Sequence, residues 1–368
     1  MRYDENHHAP DDDSMHIPDG YLSPSTCAVF YAGSAAGWYT ALKRLKRVLL
    51  SRVVPLISVF AAFSFVVMMF NLPLPGGTTG HALGVTIAAI VLGPSGAILA
   101  LSIAIAIQAL FFGDGGISTL GANCFNMAIV GSLVAYASYR LIAARSSLTS
   151  RRRVAAAAIA GYVAINVAAL FAAVEFGVQP ALFHDAAGTP LYAPYPLSIA
   201  IPAMMIGHLT FAGLAEAVIA AGLVAYLQVA DPKLLCATAG AAAAADAGAI
   251  GAMASARSLQ RLWIAVATLM LLTPLGILAA GTAWGEWSPA ELAKAASEAH
   301  SLVSPPPAGL QRLSSLWTAP FPAYAPSFVK SRSFGYLLSA MFGVGCLLLL
   351  SFVLRGLLER YRRKESSA

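Results

Sequence analysis

Seven histidines are spread along this 368-residue chain: His7, His8, His16, His81, His184, His208 and His300. Two of them stand beside turn-forming residues at the edges of long apolar runs. His16 lies in Met15-His16-Ile17-Pro18-Asp19-Gly20-Tyr21, just before the first run. His81 closes Gly76-Gly77-Thr78-Thr79-Gly80-His81 at the start of the third. Alternating spans put both at the same outer end of a helical bundle, and two imidazoles converging there are a candidate transition-metal site. The plainer reading is an interfacial histidine beside a Pro18/Gly20 turn. Met15 adds a second kind of donor. If translation starts there, His16 is the second residue. The α-amine, the deprotonated His16 amide nitrogen and the His16 ring would then form two fused chelate rings, with His81 closing a square. Square-planar nitrogen suits Ni(II) or Cu(II) and is unusual for Zn(II); Co(II) would be an imposed guest.

Other side chains are candidates for supporting such a site. Asp19, Thr79 and Asn123 are placed to orient the ligands, as carboxylates and amides behind metal-bound histidines commonly do. The loop Gly113-Asp114-Gly115-Gly116 and the amides of Gln108, Asn123 and Asn126 fall at the same outer end and could hold the N-terminal segment by hydrogen bonds, or bond helix to helix. His208 and Glu216 sit eight residues apart on one face of an apolar run. Ionisable groups there mark either a conduction path or a buried structural pair. Glu175, near an outer helix end, reads as interfacial, and Gly33 and Gly37 form a GxxxG packing face. His184 and His300 have no partner at a ligand spacing. Other chemistries are missing from the sequence. There is no Gly-Lys dipeptide and hence no Walker A loop, and no HExxH, GxSxG or CxxC. Cys27, Cys124, Cys236 and Cys346 are scattered and read as apolar filler.

The elements that must carry these residues are membrane helices. The chain is 58% hydrophobic and 11% charged, with a mean hydropathy of +0.71, against about 25% charged residues in a soluble domain. Apolar runs at about 24–42, 50–70, 79–92, 94–112, 124–143, 154–176, 198–229, 262–280 and 335–354 predict an all-α polytopic bundle of nine crossings. The 79–92 run is short and Gly93-Pro94 breaks it from the next, which a bundle tolerates where protein covers the helix ends. With the N-terminus outside and the C-terminus inside, 18 of the 23 basic residues fall in cytoplasmic segments, as positive-inside topology requires. The formal charge of +6 is therefore topology rather than a nucleic-acid footprint. The Ala/Gly stretch 237–256 reads as cytoplasmic linker. The chain then divides into an acidic extension at 1–14, a metal-binding body at 15–230, a linker at 231–261, and a two-helix tail at 262–368 with a Pro-rich external loop. No apolar leader precedes the first span. The acidic extension with His7, His8 and Asp11 to Asp13 reads as solvated rather than as a metal-collecting arm.

Met-His-Ile-Pro-Asp-Gly-Tyr-Leu-Ser-Pro at 15–24, GGTTGHALG at 76–84, IQALFFGDGGISTLGANCFNMAIVG at 107–131 and HLTFAGLAEAVI at 208–219 resemble the CbiM/NikM family. These are the membrane substrate-binding components of cobalt and nickel energy-coupling factor transporters. LTPLGILAAGTAWGEW at 272–287 is similar to a C-terminal extension found in some members, and the tail is similar in layout to their small N component. The resemblance implies a ligand set of Met15, His16 and His81. It implies no prosthetic group, with Co²⁺ or Ni²⁺ as cargo. It also implies a transmembrane coupling protein and cytoplasmic ATPases as partners in a bacterial cytoplasmic membrane. The 14 residues before Met15 depart from the family pattern: while they are attached, the Met15 nitrogen is an amide. A start at Met15 is the favoured resolution. Two rivals stand beside this reading. One is a self-sufficient secondary transporter or channel using His208 and Glu216. The other is a metalloenzyme, which would need an open coordination position and a base.

Overall fold

The computed structural model describes residues 16–45, 54–74, 78–144, 146–238, 256–279, 284–298 and 306–365. Met15, the extension at 1–14, His300 and most of the Ala/Gly linker lie outside them. Ser23 opens α1 (Pro24–Leu45): its Oγ accepts from Thr26 N at 3.1 Å, and proline takes the first helical position. Lys43 and Arg44 stand in the last turn, where cations favour the helix dipole. Then come α2 (Val54–Met68), whose residues are nearly all buried, and a short antiparallel hairpin. The hairpin, β1 (Leu72–Leu74) against β2 (Thr78–Gly80), sets Pro73 opposite Thr79 and delivers His81.

The next element, α3 (Val85–Phe112), is not one straight helix. Straight, its 28 residues would measure about 42 Å. Yet His81, before it, and Asp114, just after it, both lie against His16. The chain doubles back at Gly93, whose φ of 72° and ψ of 169° only glycine adopts readily, and Pro94 starts the return arm. The 79–92 and 94–112 runs are therefore two arms of one element. The short arm, Val85–Leu92, is about 12 Å long, too short for the roughly 30 Å of hydrocarbon. This is where the expected nine crossings are not met. It remains stable because protein surrounds it: all eight of its residues are buried.

The long helices α4 (Leu120–Ala143), α5 (Arg151–Leu182) and α6 (Leu197–Ala230) complete the body. Ala156, Ala157, Ala160, Ala164 and Ala168 line the buried face of α5, and a Cβ on Gly161 would stand 3.0 Å from the Glu216 carbonyl of α6. Small residues let the two backbones approach where no water is present to drive association. Gly33 and Gly37 do the same for α1, which packs there on Phe125 and Ile129 of α4. The tail adds α7 (Ala256–Leu278), α8 (Pro289–Glu298), α9 (Ala308–Leu313) and α10 (Arg332–Glu365). Gly276 and Gly343 seat α7 and α10 against Met69 and Phe65 of the α2 region. Among the described residues, α3, α4, α5, α6, α7 and α10 are long and apolar enough to cross a membrane; α2 is shorter and α1 less apolar. The chain is an all-α, multi-pass membrane protein.

The described parts of the segment between α7 and α10 bond to one end of the body, where Tyr21 Oη donates to the Trp287 carbonyl (2.5 Å) and Leu310 N to the Leu191 carbonyl (3.2 Å). Phe321 N donates to the Phe111 carbonyl (2.9 Å) and Trp317 Nε1 to the Leu110 carbonyl (3.0 Å).

Candidate metal centre

His16 enters the bundle on a segment held by backbone hydrogen bonds at Ile17 and Ser23. Ile17 N donates to Asn123 Oδ1 at 3.1 Å, and Asn123 Nδ2 donates back to the Ile17 carbonyl at 3.1 Å. That carbonyl also accepts Thr119 Oγ1 at 2.5 Å and Gly116 N at 3.0 Å. Asp19 accepts Ile117 N (3.1 Å), Ser118 N (2.7 Å) and Ser118 Oγ (2.5 Å), while Ser23 N donates to Gln179 Oε1 (3.0 Å). Buried peptide groups need such partners, so this polar set fixes the segment against α4, α5 and the 113–119 loop. Two glycines make the approach possible. A Cβ on Gly115, which has φ 84°, would lie 2.8 Å from His16 Cβ, and one on Gly116 would collide with Asp19.

His81 arrives from β2 and is also buried. The two imidazoles stand edge to face with ring centroids 5.2 Å apart. Rings that each give one nitrogen to a common ion at about 2 Å have centres no more than about 6 Å apart, so the pair can share an ion. Burial, reinforced by the neighbouring His16 ring, pushes the His81 pKa down to about 4. At neutral pH its ring is uncharged, the state a metal ligand requires. The neutral ring donates Nδ1–H to the Ala82 carbonyl at 3.0 Å, which puts the lone pair on Nε2. Four residues later the short arm of α3 begins, and the amides around its start are taken by a carboxylate from α6. Glu216 Oε2 accepts Leu83 N (2.9 Å) and Gly84 N (2.8 Å), and Oε1 accepts Thr86 N (3.2 Å).

Behind His16 stands a hydrogen-bonded chain that crosses from body to tail. His16 Nδ1 lies 3.2 Å from Asp114 Oδ1 and 3.4 Å from the Asp114 carbonyl. Tyr324 Oη donates to Asp114 Oδ2 at 2.6 Å, and Gln108 Nε2 reaches both Asp114 Oδ2 (3.3 Å) and Tyr324 Oη (2.8 Å). The Tyr324 ring stacks on Phe112 at 4.7 Å and is buried. In front of the histidines is a cavity of about 100 Å³ whose wall includes Thr79, Asn123, Asn126, Met127, His208 and Glu286.

The structure thus brings His16 and His81 together, 65 positions apart in sequence. Asn123 clamps the His16 segment, and Thr79 lines the cavity from β2. Asp19 touches neither imidazole: its carboxylate is spent on the 117–118 backbone, and Asp114 is the carboxylate at the His16 ring. His208 and Glu216 are not a pair. His208 Nδ1 bonds back to the Met204 carbonyl (2.9 Å) while its ring lines the cavity, and Glu216 is occupied by the α3 amides. Glu175 is buried at 3% exposure rather than interfacial. His184 is in an exposed turn beside Asp185. All four cysteines are free thiols. Tyr324 and the capping role of Glu216 are not apparent from sequence. The phenol stands in a proline-rich loop with no motif around it, and only the length of that loop hints that it returns to the body. Among the described residues no group of three or more His, Cys, Asp or Glu side chains could hold a metal.

Residues 16–234 match the family described as the cobalt uptake substrate-specific transmembrane region, and residues 260–360 match the PDGLE domain. The fused nickel transport protein NikMN of Rhodobacter capsulatus is 52% identical over 94% of this chain and 99% of its own length. The probable fused nickel transport protein LarMN of Lactiplantibacillus plantarum is 40% identical over 93% and 97%. A crystal structure of a truncated transition metal transporter superposes with a TM-score of 0.55 at 52% identity, covering 58% of this chain and 98% of the other. These relatives are transport proteins, not enzymes. By these matches the chain belongs to the cobalt uptake substrate-specific transmembrane family and carries a PDGLE domain fused behind it.

Proposed function

We propose that this protein captures Ni²⁺ or Co²⁺ at the extracytoplasmic face of the bacterial cytoplasmic membrane. It does so as the substrate-binding component of an ATP-driven energy-coupling factor uptake transporter, with the N-terminus outside and the C-terminus inside. A transmembrane coupling protein and cytoplasmic ATPases are its partners, and the 260–360 region is the fused counterpart of the small N component. The observation that carries this reading is the meeting of the buried His16 and His81 rings, 5.2 Å apart, at the wall of one cavity. The ion is cargo. Its ligands are the Met15 α-amine, the His16 amide nitrogen, the His16 ring and His81. A chelate ring through the His16 amide closes only through Nδ1 of the same residue, so loading takes that nitrogen from Asp114. The use of Glu216 by backbone amides leaves His208 as the one ionisable side chain of α6 facing the cavity, thin support for a self-sufficient transporter.

The test is nickel titration of two purified forms, one beginning at Met1 and one at Met15, each with and without His81→Ala. Tight binding only by the Met15 form, weakened by His81→Ala, is the expected result. Equal tight binding by both forms refutes the amine ligand. Unchanged binding by His81→Ala refutes the two-histidine site.

A further inference from the structure

We propose that Glu216 is the positioning residue of the metal centre: it acts from the middle of α6 to hold the loop that presents His81. The proposal rests on the reading of His81 as a ligand. Its basis is the N-terminus of the short α3 arm. A helix start leaves its first amides without intrahelical partners, and the residue at this cap is Gly84, which has φ 66° and no side chain to accept from them. Nor can another residue easily replace it, because a Cβ there would stand 2.6 Å from the Phe63 ring. Glu216 supplies the missing cap from a different helix, with one carboxylate oxygen on Leu83 N and Gly84 N and the other on Thr86 N. The group is completely buried, so water does not substitute for it when it is removed.

The consequence for the ion lies in the spacing. Leu83, which Glu216 grips, is two residues from His81, and Ala82 between them supplies the carbonyl that sets the His81 ring through Nδ1–H. The clasp therefore fixes both the position of the His81 backbone and the acceptor that selects Nε2 as the metal-facing nitrogen. A buried anion set against the positive end of a helix is favourable where it stands, and it ties His81 to α6 rather than to its own hairpin alone. Movement of α6 relative to α3 carries the ligand with it.

Glutamine at 216 keeps the size of the side chain but turns an NH₂ group toward one of the amides it should accept from. In the full chain beginning at Met15, we expect Glu216→Gln to weaken nickel binding by about 10- to 100-fold, the range seen when a group supporting a ligand is lost. The visible absorption of bound nickel should shift toward that of His81→Ala. The experiment is a two-by-two cycle of Glu216→Gln and His81→Ala, read by nickel titration and by that absorption. If Glu216 acts through His81, the substitution costs nothing further in the His81→Ala background, whose remaining nitrogens still bind the ion. A like loss in both backgrounds marks a general structural role and overturns the proposal, as does wild-type affinity and absorption in Glu216→Gln alone. Normal binding by His81→Ala is a separate outcome that overturns the ligand reading itself.

Discussion

A single methyl group at Gly115 should disable the site without removing any polar atom. Gly115 sits at φ 84°, and an added Cβ would stand 2.8 Å from His16 Cβ and 2.9 Å from Asn123 Nδ2. Two costs follow. The left-handed backbone costs an alanine about 1–2 kcal/mol. Carbon atoms pack best at about 3.5–4.0 Å, so His16 or the loop must give way by about 1 Å, and overpacking of this kind costs about 1–3 kcal/mol. The whole penalty is about 2–5 kcal/mol, and only the steric part falls on His16. Gly188 provides the control: its φ is 83°, but a Cβ there meets nothing within 4 Å. Gly188→Ala pays the backbone cost alone, in an exposed turn. Nickel titration of both variants should therefore give wild-type affinity for Gly188→Ala and a loss of about 10-fold or more for Gly115→Ala, since each 1.4 kcal/mol is a factor of ten. If Gly115→Ala binds nickel as tightly as Gly188→Ala, the close seating of His16 against the 113–116 loop is irrelevant to capture and the site as built is wrong.

Two further outcomes follow from the same geometry. Tyr324→Phe keeps the stack on Phe112 but strips a hydrogen bond from a buried carboxylate, a contact worth about 1.5–3 kcal/mol; thermal unfolding of the metal-free chain should show that loss, and an unchanged melting point would mean that the tail does not brace Asp114. The second outcome concerns pH. The folded chain holds His81 near 4 whereas an unfolded histidine titrates near 6.5, so between these values the unfolded chain binds more protons and stability rises with pH. The metal-free protein should therefore lose stability, by an order of a few kcal/mol, as pH falls from 6.5 to 4.5, and His81→Gln should flatten that part of the curve; parallel curves for the two proteins would show that His81 is not buried as described.

Much of this is legible in the sequence, because the features concerned are carried by composition or by local punctuation. Apolar runs predict the helices, and Gly93-Pro94 marks the break that turns α3 back on itself. His16 and His81 share one end of the bundle because charge placement orders the spans. What sequence does not reveal is which partner a polar side chain chooses. Asp19 and Asp114 both lie near the outer end, and nothing local says that the first spends itself on Ile117 and Ser118 while the second meets the His16 ring. Glu216 and His208 share a helical face, but the three free amides that capture Glu216 belong to an element more than 100 residues away. Glu175 looks interfacial by position and is buried, beside a Phe176 that packs in one cluster with Tyr21, Trp284 and Leu310. Each of these depends on tertiary approach, which periodicity does not encode.

The division of the site among elements bears on how an ion could leave it. His16 is pinned to α4 and the 113–119 loop through Ile17 and Asp19, His81 to α6 through Glu216, and Asp114 to the tail through Tyr324. No single rigid element carries both imidazoles. Nitrogen–metal bonds of about 2 Å tolerate errors of only about 0.2 Å. A relative shift of α4 and α6 by 1–2 Å, small by the standard of helix movements in switching proteins, would therefore open the coordination without unfolding anything. The Ala/Gly face of α5 against α6 presents little side-chain interlock against such a shift. Tight capture and release on demand place opposite requirements on one rigid scaffold. If His16 and His81 are the ligands, their separate anchoring would let one scaffold meet both, with the anchors setting affinity and relative helix movement setting release.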